Sequence, residues 1–437
     1  MMNSIRQALT TKEIRRKLEL MVIIVFFTRI MSMIPVPGVD TSVFKKWMSA
    51  NTNDALSLFS AFTGGSFESF SMFALGITPL ITAQIIMQMA SIAIKPLAKL
   101  QKKGEHGQKV IKKITNICAI ILTLAQSVCM GIGFNKSGMI SGGVIGIISL
   151  TVFITAGTGI MIWLSNILTE KTIGNGVSLL LMANITSQLP KQLKSLIVGL
   201  TNGKSTWVSA LSVAGAILTI LVMTILVIYM TEGYHPLHVQ YSHKMSQSGE
   251  DAETGQIPMK VGVSGVMPVI FASVIMSIPQ LIATLTGKGY GSGYSKIILE
   301  MLSQKNWFDN EHPMYAIGML IYLALIVIFA FFYLTIAFNA AEVADNIRKS
   351  GGFVPGVRAG EDTEIYIQNI SRYLATIGTV MLIVVTMVPI VLCGSLGLST
   401  VISGTSMIIV IGVATETVQQ IQLELAGRNY CGLLARD

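Results

Sequence analysis

Charge is scarce in this chain. Asp, Glu, Lys and Arg make up 12% of its 437 residues, against ~25% in an ordinary soluble domain. Hydrophobic residues reach 52%, and the mean hydropathy is +0.66. A single soluble core is excluded, and a protein that crosses a membrane many times is indicated. Cysteine is also rare: Cys118, Cys129, Cys393 and Cys431. The first two fall on one predicted helix, roughly 16 Å apart at 1.5 Å per residue, too far to bridge. No disulfide framework is expected. Catalytic motifs are missing. There is no Walker lysine motif, no H-E-x-x-H, no G-x-S-x-G and no dinucleotide fingerprint. Glu170–Gly176 (E-K-T-I-G-N-G) has the glycines of a phosphate loop but no Lys-Ser/Thr after them, so it reads as a turn. His235, His238 and His243 have no Cys or acidic partner in register, which argues against a metal. The expectation is a chain that is not an enzyme and carries no cofactor. No small-residue cleavage site follows the first apolar run, so Met1 onward is read as mature chain.

One stretch is present twice. Gly76–Met87 reads G-I-T-P-L-I-T-A-Q-I-I-M, and Gly265–Met276 reads G-V-M-P-V-I-F-A-S-V-I-M. Gly, Pro, Ile, Ala, Ile and Met coincide at matching offsets. Each copy opens an apolar run with Gly and Pro near its start. Paired Gly/Pro-interrupted hydrophobic segments at matching places in two halves point to a central site in an inverted-repeat membrane protein.

Ten apolar runs, at about 19–35, 73–94, 115–134, 147–168, 176–189, 208–231, 264–285, 314–338, 374–393 and 400–421, set the architecture. Most approach the ~20 residues of a spanning helix. The fifth is short and needs protein around it rather than lipid. Lys and Arg concentrate in alternate loops, beginning with a head that holds Arg6, Lys12, Arg15, Arg16 and Lys17. By the positive-inside rule both termini are cytoplasmic. The net charge of +9 is largely this signal. The predicted fold is an all-α polytopic membrane protein with ten transmembrane helices in two five-helix halves of inverted topology. The halves are 1–207, with spans 1–5, and 208–437, with spans 6–10 and the large cytoplasmic loops 232–262 and 339–372. An odd number of spans per half makes the second half enter from the opposite side. Spans 2 and 7 then run antiparallel, as a two-fold axis in the membrane plane requires.

The centre of this arrangement carries no charge. Ile77 and Ile81 share a helical face, Ile270 occupies the Ile81 position in the second copy, and Val177 and Leu181 pair likewise on span 5. Such aliphatics suit a constriction that closes by dewetting; ordinary core packing gives the same pattern. Arg29 and Glu416 are the intramembrane ionisable candidates. Glu416 lies towards a helix end, which argues against an ion-coupled symporter. Leu56–Phe70, aromatic and broken by Gly64 and Gly65, is too short and polar to span. It is either a re-entrant segment or an interfacial helix. In the loop after span 8, glycines and Pro355 shape a turn that presents Arg358, suited to bidentate contact with phosphate or carboxylate.

These residues carry a family resemblance. Ile34–Asp40, Phe73–Pro79, Lys103–Glu105, Thr169–Gly176, Pro258–Ser273, Lys349–Arg358 and Gly404–Gly412 follow one another as in the SecY family of bacterial protein-conducting channels. The chain resembles that family over essentially its whole length. The resemblance implies an hourglass with a pore ring of Ile77, Ile81, Val177, Leu181, Ile270 and Ile409. It implies a plug near 56–68, including Phe59, Phe62, Gly64 and Gly65. It implies a lateral gate of spans 2 and 3 against 7 and 8, with Thr82, Gln126 and Ser273 as its polar positions. Arg358, with Lys349 and Gly356 beside it, is implied as the contact for the SecA motor or the ribosome. SecE and SecG are the implied subunits, and signal sequences, unfolded preproteins and membrane lipids the implied clients and surroundings, in the bacterial cytoplasmic membrane. The pattern departs at 234–244, which lacks the usual basic run. Gly262 stands in place of Asn, Ala340 and Ala359 in place of prolines, and Lys171-Thr172 in place of Arg-Gly. These positions bear on motor binding and on gate opening. A small-solute permease and an insertase restricted to membrane proteins are the rival readings.

Overall fold

A computed structural model describes residues 10–39, 42–44, 54–101, 104–136, 138–140, 143–201, 206–241, 255–262, 265–285, 294–303, 307, 313–358, 360–395 and 404–434. Each expected apolar run contains an α-helix among the described residues, although 32–33 and 73–77 are turns. The long helices are α1 (Lys12–Met31), α3 (Thr78–Ala93), α5 (Gly104–Lys136), α6 (Gly143–Lys171), α7 (Gly176–Thr201), α8 (Thr206–Glu232), α9 (Met267–Leu285), α11 (Ala316–Ala337), α13 (Glu361–Ser395) and α14 (Gly404–Leu434). Short helices intervene: α2 (Asp54–Thr63), α4 (Lys95–Gln101), α10 (Tyr294–Met301) and α12 (Ala340–Lys349). Among the described residues five helices, α5, α6, α8, α11 and α13, are by themselves long and apolar enough to cross a membrane. The apolar parts of α3 and α9 are shorter.

The duplicated stretch folds alike in both places. Gly76 and Gly265 adopt φ of +55° and +56°, a left-handed backbone that favours glycine. Pro79 and Pro268 then lie in the first turn of α3 and α9, where a missing N–H costs nothing. The shared spelling thus records a shared way of starting a helix after a sharp turn.

The fifth span differs from its expected extent. α7 does not stop near 189 but continues to Thr201 with Pro190 inside it. One proline removes one N–H and kinks a helix, and the helix-forming residues beyond it resume the pitch. The run looked short because polar residues begin at Asn184, not because the helix ends.

The loops add a sheet that the apolar periodicity did not reveal. Strands β1 (Tyr234–Tyr241), β2 (Gly255–Lys260) and β3 (Gly352–Phe353) pair antiparallel in the order β2-β1-β3. Leu237 and Val239 face a small core with Met259, Ala344, Ile347, Val354 and Ile367, so the two large loops form one subdomain with α12 and the start of α13. Lys260, at the end of β2, donates to Gln419 of α14 at 2.7 Å. His235 and His238 are three positions apart in β1 and so point to opposite faces. Their pairing residues are Met259 and Gln256. His243 lies outside the described residues, as do Arg6, Lys103 and Ala359. Cys118 and Cys129 are free thiols.

Close helix packing depends on small residues. Gly157 of α6 lies against the Met72 carbonyl, where a Cβ would collide with backbone, whereas Gly159, in the same helix, has open space around it. Gly157→Ala should destabilise the detergent-solubilised chain by about 1–3 kcal/mol, the usual cost of overpacking. Gly159→Ala should leave the thermal unfolding midpoint unchanged or raised. Equal midpoints for the two variants would rule out the close approach.

Candidate functional site

The six aliphatic side chains expected to form the ring all lie in one extended buried cluster. Ile77 precedes α3, Ile81 lies in its first turn, Val177 and Leu181 open α7, Ile270 lies in the first turn of α9, and Ile409 lies in α14. All are buried, the most accessible of them, Val177, to 7% exposed, and all belong to one apolar cluster. Four helix segments distant in sequence supply it. α7 packs against α14, and α9 packs against α5 and α14, so elements from both halves of the sequence meet here.

Phe62 of α2 joins the same cluster. α2 packs against α7 and α9, and Phe59, Ser60, Ala61, Phe62 and Thr63 are all buried. The segment lies inside the protein. Phe59 faces a second apolar cluster, stacking edge-on against Phe67 at 5.1 Å between ring centroids, with Phe44, Phe70 and Phe134 beyond. Gly64 and Gly65 follow with φ of +65° and +82°. A Cβ on Gly64 would run into the Arg29 guanidinium, and one on Gly65 into the Gln188 amide.

Arg29 is the polar centre of this region. Its guanidinium donates to the Gly64 carbonyl at 3.2 Å, to Ser187 Oγ at 2.9 Å and to Asn184 Oδ1. Asn184 Nδ2 donates in turn to the Phe62 carbonyl at 2.7 Å. Further along α7, Lys191 pairs with Glu68, whose other oxygen accepts from Ser60 Oγ at 2.8 Å. Sequence reasoning singled out Arg29 but missed Asn184, Ser187, Gln188, Lys191 and Glu68. The signal was there: the α7 residues recur in steps of three and four, which places them on one helical face.

The three expected gate positions lie on three helices. Thr82 Oγ1 on α3 donates within its own helix to the Thr78 carbonyl at 3.1 Å. Gln126 is half-buried on α5, which packs against α9. Ser273 on α9 is fully buried, and its hydroxyl meets Tyr322 Oη of α11 at 3.3 Å. The structure therefore pairs Ser273 with Tyr322 rather than with Thr82 or Gln126. Gly262 sits so close to the Met230 carbonyl that a Cβ would approach it to 2.9 Å.

The loop turn is built as its residues suggest. Val354 is buried in the loop subdomain, Gly351 and Gly356 have positive φ, and Thr363 Oγ1 donates to the Arg358 carbonyl at 2.7 Å. Arg358, Gly356 and Lys349 are exposed. Lys349 closes α12, where the helix dipole favours a cation. Among the described residues no cluster of three His, Cys, Asp or Glu could hold a metal.

One apolar cluster shared by helices from both ends of the sequence, with the buried segment 59–63 packed against it, frames a polytopic helical membrane protein. The chain belongs to the SecY family, whose model matches residues 71–418. It is 34% identical over 438 residues to "Protein translocase subunit SecY" of Staphylococcus epidermidis and 32% identical over 441 residues to that of Staphylococcus aureus, covering 98% of both chains in each case. Among solved structures it resembles "The structure of a protein conducting channel", with TM-score 0.65, 18% identity, and 93% of this chain and 91% of that one covered. It also resembles "Sec61 in the Canine ribosome-channel complex from the endoplasmic reticulum", with TM-score 0.60, 18% identity and the same coverage.

The Ser273–Tyr322 pair is testable. Ser273→Ala leaves a buried phenol unpaired, which should cost about 1–3 kcal/mol. Adding Tyr322→Phe should recover part of that loss in thermal unfolding. Strictly additive losses would show that the hydroxyls do not interact.

Proposed function

We propose that this chain is the central pore subunit of a protein translocase, a passive conduit and not an enzyme. It passes unfolded polypeptides across a membrane and releases signal sequences and membrane helices sideways into lipid. The observation that carries this reading is the burial of Ile77, Ile81, Val177, Leu181, Ile270 and Ile409 in one apolar cluster that Phe62 shares. Aliphatic groups offer a passing chain no directional hydrogen bond, and they exclude water and ions when closed. The six act as the pore ring, and Phe59, Phe62, Gly64 and Gly65 belong to the plug seated on it. The halves 1–207 and 208–437 part along the face where α9 meets α5, with Thr82, Gln126 and Ser273 near that seam.

Energy comes from outside the chain. Arg358, with Lys349 and Gly356 shaping and flanking its turn, docks a SecA-type motor or a ribosome. SecE and SecG complete the complex. The membrane is the bacterial cytoplasmic one, with both termini inside. Relatives named as translocase subunits, and a fold shared with a channel described in a ribosome complex, support this assignment.

Replacing Ile77, Ile81, Ile270 and Ile409 together with Ser removes apolar closure and should raise ion leak through reconstituted channels by roughly tenfold or more. Preproteins with weakened signal sequences should also pass more readily. Unchanged leak and stringency would reject the ring. Arg358→Glu reverses the docking charge and should lower motor-driven or ribosome-coupled translocation by roughly tenfold. Saturable solute uptake without any motor would favour a permease instead.

A further inference from the structure

We infer that Arg29 and the polar face of α7 form a latch that holds the plug closed, built among the described residues from the first half of the chain. This deepens the plug reading above and rests on it. The bonds that seat residues 60–68 come from α1 and α7: Arg29 to the Gly64 carbonyl at 3.2 Å, Asn184 to the Phe62 carbonyl at 2.7 Å, and Lys191 to Glu68. Arg29 and Asn184 also bond to each other, so one guanidinium and one amide clasp the backbone on both sides of Thr63. Toward α9 the segment is joined through the apolar cluster that Phe62 shares with Ile270.

The two kinds of contact respond differently to a parting of the halves. Apolar contacts slide and re-form without a preferred partner. Hydrogen bonds to a charged donor are directional and stronger. As α9 moves away, the plug therefore stays with α1 and α7 until those bonds break, and their strength sets the threshold for opening. The links are unequal. Side chains of Lys191 and Glu68 are 66% and 33% exposed, and an exposed ion pair contributes little. Asn184 is 4% exposed, and Arg29 is half-buried. These two carry the latch. Gly64 and Gly65 fit it doubly: the Gly64 carbonyl meets Arg29 from a left-handed turn, and a side chain on either would strike Arg29 or Gln188.

The test uses the full chain reconstituted in phosphatidylcholine–phosphatidylglycerol vesicles, with potassium efflux as the readout. A variant lacking residues 56–63 gives the unplugged level. Arg29→Met and Asn184→Ala should each raise efflux roughly tenfold, as expected for losing one or two charge-assisted hydrogen bonds. Arg29→Lys keeps a cationic donor without the planar fork and should fall between Arg29→Met and the unmodified chain. Lys191→Ala should stay within about twofold of the unmodified chain. Asn184→Ala retains the charge and decides the question by itself if Arg29→Met fails to fold. Unmodified efflux in folded Asn184→Ala and Arg29→Met, beside a leaky deletion, overturns the latch but spares the plug. A deletion variant that does not leak overturns both.

Discussion

The structure depends on one constraint: within a hydrocarbon layer, backbone that is not helical must find its hydrogen-bond partners inside the protein. The segment from Gly64 to Ile77 is where this chain meets that demand. Its turns close on themselves, with Gly65 N–H on the Ser60 carbonyl at 2.9 Å and Gly76 N–H on the Phe73 carbonyl at 2.8 Å. Its edge is tied to the stretch after α1, through Val36 N–H to the Phe70 carbonyl at 3.0 Å and Met72 N–H to the Ile34 carbonyl at 3.3 Å. Two carbonyls of the adjoining α2 end, Phe62 and Gly64, are answered by Asn184 and Arg29. An arginine at this depth is costly unless it has such work. Its presence on α1 and the irregular backbone beside it explain each other.

Much of this was legible in the residues, and the parts that were not share a cause. The duplicated Gly–Pro stretch announced two similar helix starts, and Gly76 and Gly265 have nearly the same dihedral. Ile77, Ile81 and Ile270 were visible as uncharged positions in that repeat, whereas Ile409 came only from family likeness because no local pattern marks it. The stretch 56–70 was legible as too short and polar to span, but composition did not decide between a re-entrant and an interfacial segment. That choice is made by tertiary packing against α7 and α9. The polar face of α7 was overlooked because Asn, Ser, Gln and Lys in a greasy run read as the end of a helix. The sheet was overlooked because Leu237 and Val239 are a short alternation whose third partner, β3, lies more than a hundred residues away in sequence. Helices are written locally; strand pairs across loops are not.

The apolar cluster and the segment packed against it are held by different physics. The cluster is apolar, drawn from α3, α7, α9 and α14, and specific in shape but not in direction. The bonds from α1 and α7 to residues 62–68 are polar and specific in direction. The aromatic group around Phe44, Phe67, Phe70 and Phe134 gives that segment a rigid back wall, with ring centroids 4.7 to 5.6 Å apart.

The three-stranded sheet has a mechanical meaning. β1 continues from the end of α8, β3 leads toward α13, and Lys260 reaches α14. The exposed turn around Arg358 follows β3 and so is joined to that sheet. The sheet is linked to the ends of three helices. Two of these, α8 and α14, pack against α7. A load borne by that turn would therefore pass by way of α8 and α14 to α7, the helix whose side chains bond the segment at 62–68.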